Sequence, residues 1–151
     1  MTTIVPAAEG QTFVIAEEIT VRATPDQTFA SLLVQMGRLN ETPDGKPLPM
    51  MLEPHPGGRW YRDLGGDNGH LWGFVQSIRR PELLEIWGPL FMSTAATSNL
   101  LYRLRETSNG TLITFTHTLV GPIPEAHRPL LASGWVALHA RVRKAAETAA
   151  L

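Results

Sequence analysis

Residues 12–37, TFVIAEEITVRATPDQTFASLLVQMG, join an alternating segment to a capped helical segment and decide the fold. Apolar side chains recur at every second position of the first half, which is typical of a strand with one buried face; these are Phe13, Ile15, Ile19 and Val21. A helix is predicted next, because Thr24 suits an N-cap, Pro25 the first helical position and Gln27 a capping box. Its apolar face carries Phe29, Leu32, Leu33 and Met36, and Gly37 marks its end.

Short β-like runs fill the middle of the chain after a proline-rich loop at residues 38–49. They lie near residues 50–54, 59–64, 70–79, 83–88, 97–106 and 111–120, and turn residues separate them. Asn109-Gly110 is the strongest hairpin signal. Strands joined by turns this short pair antiparallel, so the sequence predicts one antiparallel sheet.

A second amphipathic helix closes the chain, and Pro129 is predicted to lie at its start. Its apolar stripe is predicted to consist of Leu131, Trp135, Leu138, Val142, Ala145 and Ala149. One long helix cannot fill a strongly curved sheet of about seven strands. We therefore expect an α+β domain in which the sheet grips this helix, with a cavity between them.

Length and composition limit the class of protein. A chain of 151 residues suits one domain, predicted at 12–151 behind a loose arm at residues 1–11. The net charge of −1 gives no electrostatic case for nucleic acid or an anionic membrane as partner. The first residues do not resemble a signal peptide, and no apolar run approaches the roughly 18 residues of a membrane span. The expectation is a cytoplasmic protein that does not insert into membranes, without a cofactor.

Three stretches resemble a known family. ITVRATPDQTFASL is similar to the first strand, turn and helix of the START, birch-pollen-allergen and polyketide-cyclase proteins, the SRPBCC superfamily, which share the helix-grip fold. PHPGGRWY resembles a Pro-x-Gly-Gly-x-Trp/Phe hairpin, and SGWVALHARVRKAAE resembles a C-terminal Gly-Trp-x-x-x-Leu helix. The branch that looks most similar comprises bacterial homologues of the activator of the ninety-kilodalton heat-shock protein's ATPase. The resemblance implies a hydrophobic cavity and no particular reaction.

The glycine-rich stretch EPHPGGRWYRDLGGDNGHLWG, residues 53–73, invites a phosphate-binding interpretation. It lacks both the Gly-Lys-Ser/Thr and the GxGxxG patterns that such loops need. Gly57-Gly58 and Gly65-Gly66 are therefore interpreted as turn glycines. The five histidines form no metal-ligand spacing motif, and no metal site is predicted.

Three polar residues are catalytic candidates. His117 shares a strand face with Ile113, Phe115 and Leu119, so it is either a hydrogen-bonded core histidine or a ligand partner and general acid/base. Glu17 falls on the apolar face of the first strand. It is either a buried base with a raised pKa, or a carboxylate that a bulge or a strand end places in solvent or that forms an ion pair with an arginine. Tyr102 is the third candidate.

Aromatic residues supply the predicted ligand-binding wall, because small-molecule sites are usually apolar pockets with a few polar groups. The predicted lining residues are Trp60, Trp72, Trp87, Tyr102, Phe115, His117 and Trp135. Strand phase decides this set, since a slip of one residue exchanges the two faces of a strand.

Three functions remain open at this stage. The first is a module that binds a hydrophobic or aromatic small molecule between sheet and helix. The second is an enzyme of the polyketide cyclase or dehydratase type, with His117, Glu17 or Tyr102 moving protons. The third is an interaction protein that stimulates a chaperone ATPase. A free sheet edge would also suit a homodimer.

Overall fold

The computed structural model describes residues 12–150, so the predicted arm at residues 1–11 lies outside the described part of the chain. The element order is β1 (Thr12–Val21), α1 (Pro25–Met36), β2 (Met51–Leu52), β3 (Arg59–Gly65), β4 (Asn68–Arg79), β5 (Leu83–Gly88), β6 (Thr97–Thr107), β7 (Gly110–Val120) and α2 (Arg128–Ala149). A short 3-10 turn, Glu125–His127, precedes α2. All predicted strands and both predicted helices are present.

The strands form one antiparallel sheet in the order β1-β7-β6-β5-β4-β3-β2. Consecutive strands are neighbours except that β1 crosses to pair with β7, so β1 and β2 are the two edges. The long helix α2 lies against the concave face, and α1 packs beside it, where the Ser31 hydroxyl donates to the Val142 carbonyl oxygen over 2.8 Å. This is the predicted α+β helix-grip architecture.

The start of α1 matches its sequence signal. The Gln27 backbone N–H donates to Thr24 Oγ1 over 3.2 Å, and the Thr24 backbone N–H donates to Gln27 Oε1 over 3.0 Å. These two bonds satisfy donors that a helix otherwise leaves without a partner at its N-terminus. The reversal from β1 into α1 is thus encoded within four residues.

The end of α1 depends on a distant residue instead. Trp60, in β3, is 1% exposed, and its indole N–H donates to the backbone carbonyl oxygen of Met36 over 2.9 Å. Met36 is the last residue of α1, where carbonyl oxygens have no partner within the helix. Trp60 therefore ties the end of α1 to the β2–β3 side of the sheet.

The glycine-rich stretch forms two tight turns, as predicted. Gly57 has a φ of 80°, and a Cβ built on Gly58 would lie 1.9 Å from the carbonyl oxygen of Glu53. A side chain at Gly58 would therefore collide with backbone that cannot move aside cheaply. These glycines serve the turn between β2 and β3.

The buried stripe of α2 differs in two places from the prediction. It consists of Leu131, Trp135, Leu138, His139, Val142 and Ala146. Ala146 replaces the predicted Ala145 and Ala149, because the stripe continues from Val142 by four residues, whereas the prediction continued it by three. His139, absent from the predicted stripe, is 1% exposed. This second difference changes the interior of the domain.

Candidate functional site

Five rings meet between α2 and the strands β6 and β7. They belong to Tyr102, Phe115, His117, Trp135 and His139, which we call the central ring cluster. The Phe115 ring centroid lies 4.7 Å from that of Tyr102, 5.0 Å from Trp135 and 4.6 Å from His139. Aromatic pairs at such separations are in direct contact. These rings therefore occupy space in which the sequence predicted an open cavity.

A first hydrogen-bonded chain runs through His117. The Trp135 indole N–H donates to His117 Nδ1 over 3.0 Å, and His117 Nε2 lies 2.8 Å from Ser98 Oγ. An indole nitrogen can only donate, so Nδ1 is the acceptor and the proton of the neutral ring is on Nε2. His117 Nε2–H thus donates to Ser98. Both nitrogens of this fully buried histidine have partners.

A second chain runs through His139 in the same interior. His139 Nδ1 lies 3.1 Å from Glu17 Oε1, and His139 Nε2 lies 2.8 Å from the Tyr102 hydroxyl oxygen. An ionised carboxylate can only accept, so Nδ1 carries the proton and Nε2 accepts from the Tyr102 O–H. The chain is therefore directional from Tyr102 to His139 to Glu17. The two histidines hold opposite tautomers.

Burial sets the charge state of both histidines. Desolvation lowers the pKa of His117 to about 4. Desolvation, aided by the positive charge of Arg141, lowers the pKa of His139 to about 4. Both rings are consequently neutral at pH 7, and the contact of His139 with Glu17 is a hydrogen bond and not an ion pair.

Glu17 is the part of the second chain that solvent reaches. Its side chain is 24% exposed, whereas Tyr102 is fully buried. Partial burial raises the pKa of Glu17, and burial together with the Glu17 charge raises the pKa of Tyr102. β1 pairs with β7 through Glu17 without a bulge. The hydrogen-bond partner of the Glu17 carboxylate is His139. The bulge and the arginine partner considered from the sequence are therefore both wrong.

The structure separates two predicted tryptophans from the central ring cluster. Trp60 and Trp72 contact each other edge to face at 5.1 Å between ring centroids, and Trp72 also contacts Phe91 at 5.9 Å. Trp72 is an extra residue in β4, since Trp60 pairs with Gly73 while Tyr61 pairs with Leu71. Such a bulge redirects the side chain. The two tryptophans form a separate group near the end of α1.

Trp87 lies on the opposite face of the sheet. It is 46% exposed and packs on Phe74 at 5.4 Å between ring centroids. Its neighbours Ile86 and Gly88 are buried, as is Leu84, so the other face of β5 points inward. Trp87 is therefore outside the interior where Tyr102, Phe115, His117 and Trp135 come together, because the phase of β5 is one residue from the predicted one.

Two members of the chains were missing from the sequence prediction, Ser98 and His139. His139 had a readable signal, since it lies four residues after Trp135 and three before Val142, on the helical stripe itself. Ser98 also had one, since it alternates with Leu100 and Tyr102 on one face of β6. Nothing in the sequence indicated which polar atoms would meet.

Three further observations complete the description of this part of the chain. A surface groove of about 620 Å³ lies between β1 and the end of α2, and its walls include Ile19, Arg143 and Glu147. Within residues 12–150, no three histidine or carboxylate side chains gather where they could hold a metal ion. No helix in the same part of the chain is long and apolar enough to cross a membrane.

Several solved structures share this architecture. A protein of Rhizobium leguminosarum, described as putative and uncharacterized, superposes with a TM-score of 0.71 at 15% identity, over 91% of this chain and 96% of its own. Ara h 8.0201 gives a TM-score of 0.65 at 14% identity, over 91% of this chain and 99% of its own. The chain has the helix-grip fold.

A third similar structure is a protein of a biosynthetic pathway. It is the di-domain ARO/CYC StfQ from the steffimycin biosynthetic pathway, with a TM-score of 0.66 at 11% identity, over 92% of this chain and 52% of that one. No protein-family model and no curated protein matches the sequence. At these identities the likeness concerns the helix-grip fold alone, and function has to be argued from the site.

Proposed function

We propose that this helix-grip protein binds a neutral hydrophobic or aromatic small molecule between its sheet and α2. The observation that carries the proposal is the central ring cluster, in which three aromatic side chains surround two uncharged imidazoles. An apolar wall with a few placed polar groups is the usual composition of a small-molecule site. The fold shared with Ara h 8.0201 and with the ARO/CYC protein StfQ is compatible with such a site.

The electrostatics favour a neutral ligand. His117 and His139 are uncharged at pH 7 because burial lowers the pKa of each to about 4. No buried cation is therefore available in the cluster to balance an anionic ligand, and an unpaired buried charge is costly. A ligand enters between α2 and the sheet by moving them apart. Its contacts with Trp135 and Phe115 then replace the contact between those two rings.

The test uses the neutral dye N-phenyl-1-naphthylamine, whose emission rises in apolar surroundings. We expect saturable binding of one dye per chain, weakened about 5-fold or more in Trp135→Phe. Trp87→Phe is the matched control and should leave binding unchanged, since Trp87 lies on the outer face. Absence of saturable binding, or an equal loss in the Trp87 variant, would refute the proposed site.

One observation favours the enzyme alternative. Glu17, His139 and Tyr102 stand in the order carboxylate, imidazole, hydroxyl that activates a nucleophile or base in catalytic triads. Proton transfer from Tyr102 to His139 is nevertheless uphill. The ordinary tyrosine pKa of 10.0 is raised further here, and the histidine pKa is about 4. A gap of at least six units corresponds to about 8 kcal/mol, so binding is the better-supported function.

A bound ketone distinguishes the two functions. If the protein is a polyketide cyclase-like enzyme, it should speed deuterium exchange into the methyl group of 2-acetonaphthone, and Tyr102→Phe should abolish that exchange. If it only binds, the ketone competes with the dye and exchanges at the rate seen in buffer.

The remaining sequence predictions, a chaperone role, a cytoplasmic location and a homodimer, stay predictions. Similarity to homologues of the heat-shock protein ATPase activator suggests a role in stimulating that ATPase. An unchanged ATPase rate at saturating protein would count against it. The cytoplasmic location and a homodimer formed through a sheet edge are open to cell fractionation and to sedimentation, respectively.

A further inference from the structure

The two buried hydrogen-bonded chains have fixed directions, and the direction of the second leaves an acceptor position free on Tyr102. In the second chain Tyr102 donates to His139, which donates to Glu17. The Tyr102 O–H donates its single proton to the hydrogen bond with His139, and the Tyr102 oxygen can still accept a hydrogen bond. In the first chain the Trp135 indole N–H donates to His117 Nδ1, and His117 Nε2–H donates to Ser98 Oγ, so both donors have an acceptor.

Tyr102 is well placed to meet a ligand in this interior. It lies on β6, an interior strand of the sheet, with its ring against Phe115 at 4.7 Å and edge-on to His139 at 5.5 Å between ring centroids. The nitrogens of Trp135, His117 and His139 all have partners. Among the five residues of the central ring cluster, the Tyr102 oxygen is thus the atom with hydrogen-bonding capacity to spare.

We infer that Tyr102 accepts a hydrogen bond from the bound molecule, so that the preferred ligands are neutral apolar molecules carrying a hydroxyl or N–H donor. The inference deepens the proposed function and rests on it. The acceptor is strengthened by the chain behind it, because donation from Tyr102 through His139 to a carboxylate polarises the phenol oxygen toward negative charge. A ligand with only acceptor groups could not bond to Tyr102 without taking its proton away from His139 and leaving a buried nitrogen without a partner.

The decisive experiment compares two ligands that differ in one donor, 2-naphthol and 2-methoxynaphthalene, each competing with the naphthylamine dye. A hydrogen bond of ordinary strength makes 2-naphthol bind about 2- to 10-fold more tightly to the wild-type protein. Tyr102→Phe should remove that preference. Tyr61→Phe is the matched control, since Tyr61 is the only other tyrosine and lies in β3 beside Arg59.

The outcomes separate the two proposals. If the dye and both naphthalenes fail to bind, the proposed function and this inference fall together. If both naphthalenes bind but the wild type shows no preference, or the preference survives in Tyr102→Phe, only the inference is overturned.

A ligand-free measurement tests the same direction without relying on a variant that folds. Long-range nitrogen–proton correlation spectra at pH 7 should show His139 as the Nδ1–H tautomer and His117 as the Nε2–H tautomer. The opposite tautomer at His139 would mean that the imidazole donates to Tyr102, which would overturn the inference.

Discussion

Acidification from pH 7.5 to 5.0 should destabilise the domain strongly, because two buried histidines resist protonation. The ordinary histidine pKa is 6.5, and the folded-state pKa of both His117 and His139 is about 4. Between these values the unfolded chain binds protons that the folded chain does not. Stability is therefore full above pH 6.5 and falls as the pH drops toward 4.

The size of the effect follows from the two pKa values. Each histidine costs about 2 kcal/mol between pH 7.5 and 5.0, and the pair costs about 4 kcal/mol. A loss of that size is a large part of the roughly 5–15 kcal/mol that stabilises a typical domain. Glu17 acts in the opposite direction, since its raised pKa is a penalty that acid relieves. That relief begins as the pH falls toward the raised pKa of Glu17, above the ordinary carboxyl pKa, so it offsets part of the loss from the histidines.

Urea unfolding at a series of pH values measures this loss as a fall in the free energy of unfolding. His139→Gln should lose only about half as much stability over the same range, because one titrating group is gone. His127→Gln is the matched control, and its loss should equal that of the wild type because His127 is exposed. A wild-type loss below about 1 kcal/mol, or an unchanged loss in His139→Gln, would refute the assignment of neutral buried histidines.

Three substitutions test the packing. Trp60→Phe removes the indole donor from the Met36 carbonyl at the end of α1, and thermal unfolding should show a loss of about 1–3 kcal/mol; an unchanged midpoint would contradict this role. Gly134→Ala should stabilise by about 0.5–1 kcal/mol, since Gly134 lies within α2 and a Cβ there meets only Pro43 Cγ at 3.8 Å; chemical denaturation checks the sign. Thr28→Val should stabilise by about 1 kcal/mol, because the buried Thr28 hydroxyl has no hydrogen-bond partner among the described residues; a clear loss would show that this hydroxyl is satisfied.

The order of elements was readable from the sequence because its signals are local. The alternation in β1, the capping box at Thr24 and the turn at residues 108–110 each lie within a few residues, and each formed as predicted. Strand phase was readable where a strand is long and regular, as in β6 and β7. There Tyr102 and His117 both point inward, as their apolar neighbours indicated.

The sequence did not predict strand phase correctly where the sheet is irregular. The bulge in β4 inserts Trp72 between two regular pairs, and β5 turns Trp87 outward. Both depend on how neighbouring strands meet, which local composition does not specify. The predicted aromatic wall consequently divided into the central ring cluster, the Trp60–Trp72 group and a surface tryptophan.

By itself, the sequence determined an α+β helix-grip domain with a buried aromatic interior, because periodicity and turn chemistry act over a few residues. Only the tertiary structure decided how the polar atoms of that interior pair. His139 meets a tyrosine 37 residues away and a carboxylate 122 residues away. Such pairings depend on the rotation of α2 against the sheet. That rotation also buries His139 and Trp135 against the sheet, where burial keeps the histidines neutral and the Tyr102 oxygen retains an unused acceptor position.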